Sequence, residues 1–166
     1  MDITEINNII SIRKYLDRIQ LDLNNDKKTT YSLYADESLE TKIDNLELQI
    51  WSNYSNGSKF RASIALLYPF PTKIRIFALD VVPDYVKEPT CTGNDLMGDH
   101  KHRFHEHSQD NYRFHINLSA FNLFHEFVLE FFDEANIELL NNRNYYSTQP
   151  LIEAGRIIGG GNDGLQ

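Results

Sequence analysis

The run Asp99-His100-Lys101-His102-Arg103-Phe104-His105-Glu106-His107 holds four imidazoles, and His115 follows after a polar interval. Histidine changes charge nearest neutral pH and is the commonest metal ligand, so this density points to acid–base work or to metal binding. Residues two apart on an extended chain share a side, which pairs His100 with His102 and sets His105 and His107 on the opposite side. One regular strand therefore cannot gather all four at one ion. A bulge near Phe104 would change that parity, but the sequence does not require one. With residues 108–111 as the turn of a hairpin, Glu106 falls opposite Arg113, Phe104 opposite His115, and His102 opposite Asn117. His102 and His115 then become diagonal neighbours on one face. The candidate metal set is His100, His102 and His115, with Asp80 or Asp99 as carboxylate companion. Imidazole suits zinc, copper, iron and nickel, and three protein ligands beside an open position describe a catalytic zinc site. Without metal, His100 and His102 could protonate a leaving group while Asp80 holds the tautomer, so the candidate catalytic set is His100, His102 and Asp80. The plainer reading is a group of rim histidines that titrate near neutral pH.

Other chemistry is thinly represented. Cys91 is the single cysteine, which excludes an intrachain disulfide and a four-cysteine zinc site. No known cysteine motif surrounds it, so a passive loop thiol is expected. His125, beside Glu126, reads as a boundary residue of a helix. His115-x-Asn117-x-Ser119 has a passing similarity to two-histidine phosphoesterases, which use paired His-x-Thr/Ser motifs. The second motif is missing, because His100-Lys101-His102 and His105-Glu106-His107 lack the hydroxyl residue. No Gly-rich phosphate loop, Gly-x-Ser-x-Gly elbow or internal repeat is present.

The elements that must position these residues are legible from periodicity. Ile6, Ile9, Ile12, Leu16 and Ile19 recur at helical spacing, and Asp2 with Glu5 has capping-box spacing, predicting a helix over residues 3–19. Residues 31–34, 43–51, 61–68 and 73–82 have strand character, with an Asn-Gly turn signal at Asn56-Gly57, and together predict an antiparallel meander. Residues 84–99 read as a long loop of the kind that is functional or disordered. Phe124, Phe127, Val128, Phe131 and Phe132 predict a second helix over residues 119–137, packed against the sheet. The expected fold is α+β: an antiparallel sheet of about five or six strands packed against an N-terminal helix and a second helix in the C-terminal half. One domain is expected over residues 1–140, and a flexible Gly-rich tail over residues 141–166. Trp51 and the tyrosines suit a β-rich core.

The chain has 166 residues and a formal net charge of -8. That charge repels phosphate backbones, so direct nucleic-acid binding is not expected, whereas steering toward a basic protein surface is. Asp2 and Glu5 stand where a signal peptide carries positive charge, and no stretch has the length of an apolar membrane span. A cytoplasmic setting without membrane contact is expected, and a homodimer is open.

The segment from Arg61 to Leu139 resembles a family of small bacterial and phage proteins of unknown function. A strand ending in Leu79-Asp80, a Gly/Asn/Asp loop, Gly98-x-His100-x-His102-x-Phe104 and an aromatic helix ending in Asn136-Ile137 carry the resemblance. Residue by residue it covers Asp80, Gly98, His100, His102 and Phe104. His105 and His107 are additions, and Pro89 to Asp95 departs from the family's more regular histidine and Pro-Asp-Gly pattern. The resemblance implies a mobile-element or defence-related context. Two expectations follow: an acidic interaction or regulatory protein, such as a phage- or mobile-element-encoded inhibitor of a basic nucleic-acid-binding partner, or a small metal- or histidine-dependent hydrolase of phosphoesters or nucleic acid.

Overall fold

A computed structural model describes residues 2–19, 28–55, 59–69, 72–82, 87–89, 95–105, 108–115 and 124–141. Helix α1 (Ile3–Ser11) starts where the Asp2 carboxylate accepts the Thr4 N–H at 3.0 Å, satisfying one of the free amides of the first turn. Ile6 and Ile10 turn its apolar stripe into the core. The helix stops well short of residue 19. Ile12 is already extended, with ψ 145°, and the next residues form strand β1 (Lys14–Leu16), all three of which are buried. The Lys14 ammonium donates to the carbonyls of Ile9, Ile10 and Ile12 at 2.9, 2.8 and 2.6 Å, covering acceptors that the last turn leaves open.

Strands β2 (Thr29–Tyr34), β3 (Lys42–Ser55), β4 (Lys59–Pro69) and β5 (Lys73–Val81) form the antiparallel meander that their alternation predicts. Short strands β6 (Lys87–Pro89) and β7 (Asp95–Met97) pair with each other inside the segment read as a loop. Strands β8 (His100–His105) and β9 (Ser108–His115) form the histidine hairpin, helix α2 (Phe124–Glu134) follows, and β10 (Ile137–Leu139) ends the described chain. The main sheet has eight strands in the order β10-β1-β2-β3-β4-β5-β8-β9.

The expected α+β fold, an antiparallel sheet of about five or six strands packed against two helices, is therefore not what forms. The sheet is larger and mixed, because β10 pairs parallel to β1, and it curls into a half-barrel with only two short helices. Both miscounts have one cause. Apolar residues at three- and four-residue spacing continue past each helix end, but those at 14–16 and 137–139 are used as short interior or closing strands. Tertiary pairing overrides a local pattern of that length. Ile19, read as helical, joins the core from outside α1.

The core fills one face of the sheet. Leu46, Leu48 and Ile50 of β3, Ile64 and Leu66 of β4, and Phe77, Leu79 and Val81 of β5 meet Ile6 and Ile10 of α1 and Val128, Phe131 and Phe132 of α2. Phe131 stacks on Phe77 with centroids 4.9 Å apart, fixing α2 across the centre of β5. Lys101 and Arg103 of β8 lie opposite Leu79 and Phe77, on the face that α2 covers. There Lys101 donates to both Glu134 oxygens, at 2.7 and 3.0 Å, and Arg103 stands 5.5 Å from the Phe77 ring centroid. No helix among the described residues is long and apolar enough to cross a membrane.

Candidate metal centre

Since Lys101 and Arg103 face the helix, strand parity sends His100 and His102 to the other face of the sheet. The ladder pairs His100 with Asp80 and His102 with Ala78, and in the next strand Ser63 with Asp80 and Ala65 with Ala78. The two imidazoles thus stand over a floor of Ser63, Ala65 and Ala78, whose small side chains leave them room. This face is nonetheless closed, since His100, His102 and Asp80 retain 1%, 0% and 8% of their exposure.

The tautomers follow from the partners. His100 Nδ1 lies 2.8 Å from the Gly98 carbonyl, which can only accept, so Nδ1 carries the proton and Nε2 a lone pair. Gly98 supplies that carbonyl from a backbone at φ 75°, where a residue with a Cβ is strained. His102 Nε2 donates to Asp80 Oδ2 at 2.7 Å, leaving its Nδ1 with a lone pair. His100 Nε2 is 3.7 Å from the same oxygen, and the rings are tilted with centroids 4.8 Å apart.

Arg75 donates to Asp80 Oδ2 at 2.8 Å. Five residues separate the two, an odd number that would put them on opposite faces of a regular strand. Between Leu66 and Leu67 the β4 to β5 register shifts so that Phe77 faces Leu66 while Arg75 faces Leu67. Ile76 is the extra residue of a bulge, and Ile76 and Phe77 both enter the main core. The bulge re-aims Arg75 onto the face of Asp80.

Electrostatics agree with this geometry. Burial alone would push the Asp80 carboxyl up, but the His102 hydrogen bond, the Arg75 charge and Ser63 outweigh it and hold the group at about 2. Burial pushes His102 below its ordinary 6.5 against the pull of Asp80, so near neutral pH the imidazole is uncharged. Asp80 Oδ1, His100 Nε2 and His102 Nδ1 are buried without a hydrogen-bond partner. All three are electron-pair donors. Buried polar atoms are nearly always satisfied, and three unpartnered acceptors on adjoining residues call for a partner such as a cation.

The donor set fits that reading. Asp80, His100 and His102 each offer a ligand atom within 4.8 Å of the others, and they are the one such group among the described residues. A tetrahedral zinc with bonds of about 2.1 Å needs about 3.4 Å between ligands, so side-chain rotations must close the widest pair by roughly 1.4 Å.

The expected trio is partly brought together. His100 and His102 meet as predicted, and Asp80 rather than Asp99 is the carboxylate beside them. Asp99 Oδ1 instead accepts the Val82 N–H at 3.0 Å. The hairpin register differs from the expected one by four residues: His115 lies across from His100 and Arg113 across from His102. The reason is the turn, since β9 already begins at Ser108, so residues 108–111 are strand. A register shift between Arg103 and His105 marks an irregularity at Phe104. Only the backbone of His105, His115 and His125 is described, while Cys91, His107 and residues 142–166 lie outside the described residues. Sequence reasoning missed Arg75 and Ser63. The cross-strand partner Ser63 needed the β4 to β5 register, and Arg75 needed the bulge.

Comparison with known proteins returned no matching family model, no matching curated protein and no matching solved structure.

Proposed function

We propose that this chain is a small divalent-metal-dependent hydrolase whose ion, zinc in the first instance, is held by Asp80, His100 and His102. The observation that carries the reading is the set of three buried, unpartnered electron-pair donors. The described residues bring three ligands, and catalytic zinc sites use three protein ligands beside an open position. When bound, such an ion supplies Lewis acidity and makes water nucleophilic near neutral pH. The surrounding residues would prepare the ligands: Gly98 fixes the His100 tautomer so that Nε2 is the free nitrogen, and Arg75 and Ser63 keep Asp80 ionised. With imidazoles no more than 1% exposed, the centre suits small phosphoesters and not a nucleic-acid strand.

The test is elemental analysis of zinc-reconstituted protein after removal of free ion, followed by hydrolysis of an aryl phosphate. One zinc per chain is expected. His100→Ala with His102→Ala should lose the ion and at least a hundredfold of the activity while the circular dichroism of the sheet persists. Undiminished turnover in the folded double variant would sink the hydrolase reading.

A second reading keeps the charge in view. Glu37, Glu40 and Asp44 are exposed around the β2 to β3 connection of a chain with net charge -8, which favours docking to a protein with a basic surface.

A further inference from the structure

We propose that the centre takes a small phosphate monoester, gripped jointly by the metal ion and by Arg75. This deepens the metal reading above and rests on it. Asp80 and Arg75 carry opposite charges, and imidazoles that ligate an ion do so through neutral nitrogen lone pairs. A divalent ion would leave a net charge of two positive units in a place where each imidazole is 1% exposed. Uncompensated buried charge is strongly unfavourable, so an anion completes the site. The chain does not supply it among the described residues. No second carboxylate joins the ligand group, and Glu134 is bound to Lys101 on the opposite face of the sheet.

Charge also selects the class of anion. A carboxylate brings one negative charge, whereas a phosphate monoester at neutral pH brings close to two, matching the excess. Arg75 is built to share it. Its side chain is 37% exposed, against 1% for each imidazole and 11% for Asp80, so it is the member of the centre that reaches solvent. Its hydrogen bond to Asp80 runs from Nη1, which leaves other donors of a planar fork suited to phosphate oxygens. The bulge at Ile76 places both Ile76 and Phe77 in the core and at the same time delivers Arg75 to Asp80. The narrow exposure restricts the ligand to a small molecule.

The experiment uses the full chain loaded with cobalt(II) and freed of excess metal, with its visible absorption titrated by inorganic phosphate and, separately, by acetate. A saturable spectral change is expected, with phosphate at least tenfold tighter than acetate. Arg75→Met should retain one cobalt per chain and weaken phosphate at least tenfold, with Arg75→Lys between the two. A wild-type spectrum indifferent to phosphate, or an Arg75→Met protein that titrates like wild type, would overturn the anion site. If Arg75→Met fails to fold, Arg75→Lys and the preference for phosphate over acetate decide the matter. The two levels separate: no cobalt uptake defeats the metal reading and this one together, whereas stoichiometric cobalt with a phosphate-silent spectrum defeats this one alone.

Discussion

Asp80 is held as a carboxylate against its own burial, and beside it His102 is held neutral. Both states make folding depend on pH with the same sign. The folded His102 binds its proton less readily than the unfolded side chain, so its contribution is complete above the ordinary 6.5 and shrinks as pH falls below it. Asp80 titrates at about 2 folded against 3.8 unfolded, so its contribution, about 2 kcal/mol, is present above pH 4 and lost between about 4 and 2. The metal-free protein should therefore lose stability in two acid limbs. Thermal unfolding followed from pH 8 to pH 2 should show His102→Gln flattening the upper limb and Asp80→Asn the lower one. Identical profiles for wild type and both variants would show that these groups do not set the acid response. At this scale the sequence announced the imidazoles, because four in nine residues need no structure to be noticed. It was silent on Arg75, whose odd spacing from Asp80 argues against their meeting until Ile76 is known to bulge.

Elements carry a different lesson, and Lys14 is where it is clearest. A lysine with no exposed surface is rare, and this one ends α1 by donating to three carbonyls. Burial lowers it from 10.5 to about 8. Between those values the unfolded chain holds more protons than the folded one, so the contribution of this group to stability rises with pH across that window. Lys14→Met should cost about 2 to 3 kcal/mol at pH 7, since buried carbonyls lose their donor, and should remove that rise. Urea unfolding at pH 7 and pH 10 checks both, and an unchanged midpoint in the variant would contradict the capping role. The same position shows why the helical period runs past the end of the helix. Ile12, Leu16 and Ile19 keep a helical period, and only Lys14 reaching back to Ile9, Ile10 and Ile12 reveals that the chain has turned. The meander β2 to β5 was legible because alternation over six to fourteen residues leaves little room for another period. The histidine hairpin was legible as a hairpin but not in register, since Asp110-Asn111 looks like a turn and lies within β9.

For the molecule as a whole, net charge and topology are the two properties that no single element carries. If the acidic surface docks a basic partner, Glu37→Lys with Glu40→Lys and Asp44→Lys should weaken capture at least tenfold in low salt and far less at 0.5 M salt, because exposed charges are screened over roughly a Debye length. Biosensor binding to a lysine-rich test protein measures this, and equal affinities at low salt would remove charge from the account. Topology bears on something else. β1 lies between β2 and β10, and Lys14 pairs with Ile137, Tyr15 with Glu138 and Leu16 with Leu139. The closure is reinforced by the Lys14 N–H on the Asn136 carbonyl, the Asn136 amide on the Ser11 carbonyl and the ion pair of Arg13 with Glu138. On the ribosome the first strand of this sheet is thus made more than a hundred residues before its parallel neighbour. At about 5 to 20 residues per second, one flank of β1 waits several seconds for its partner. In that interval the nascent chain presents an unsatisfied strand edge, and chaperone protection matters most there.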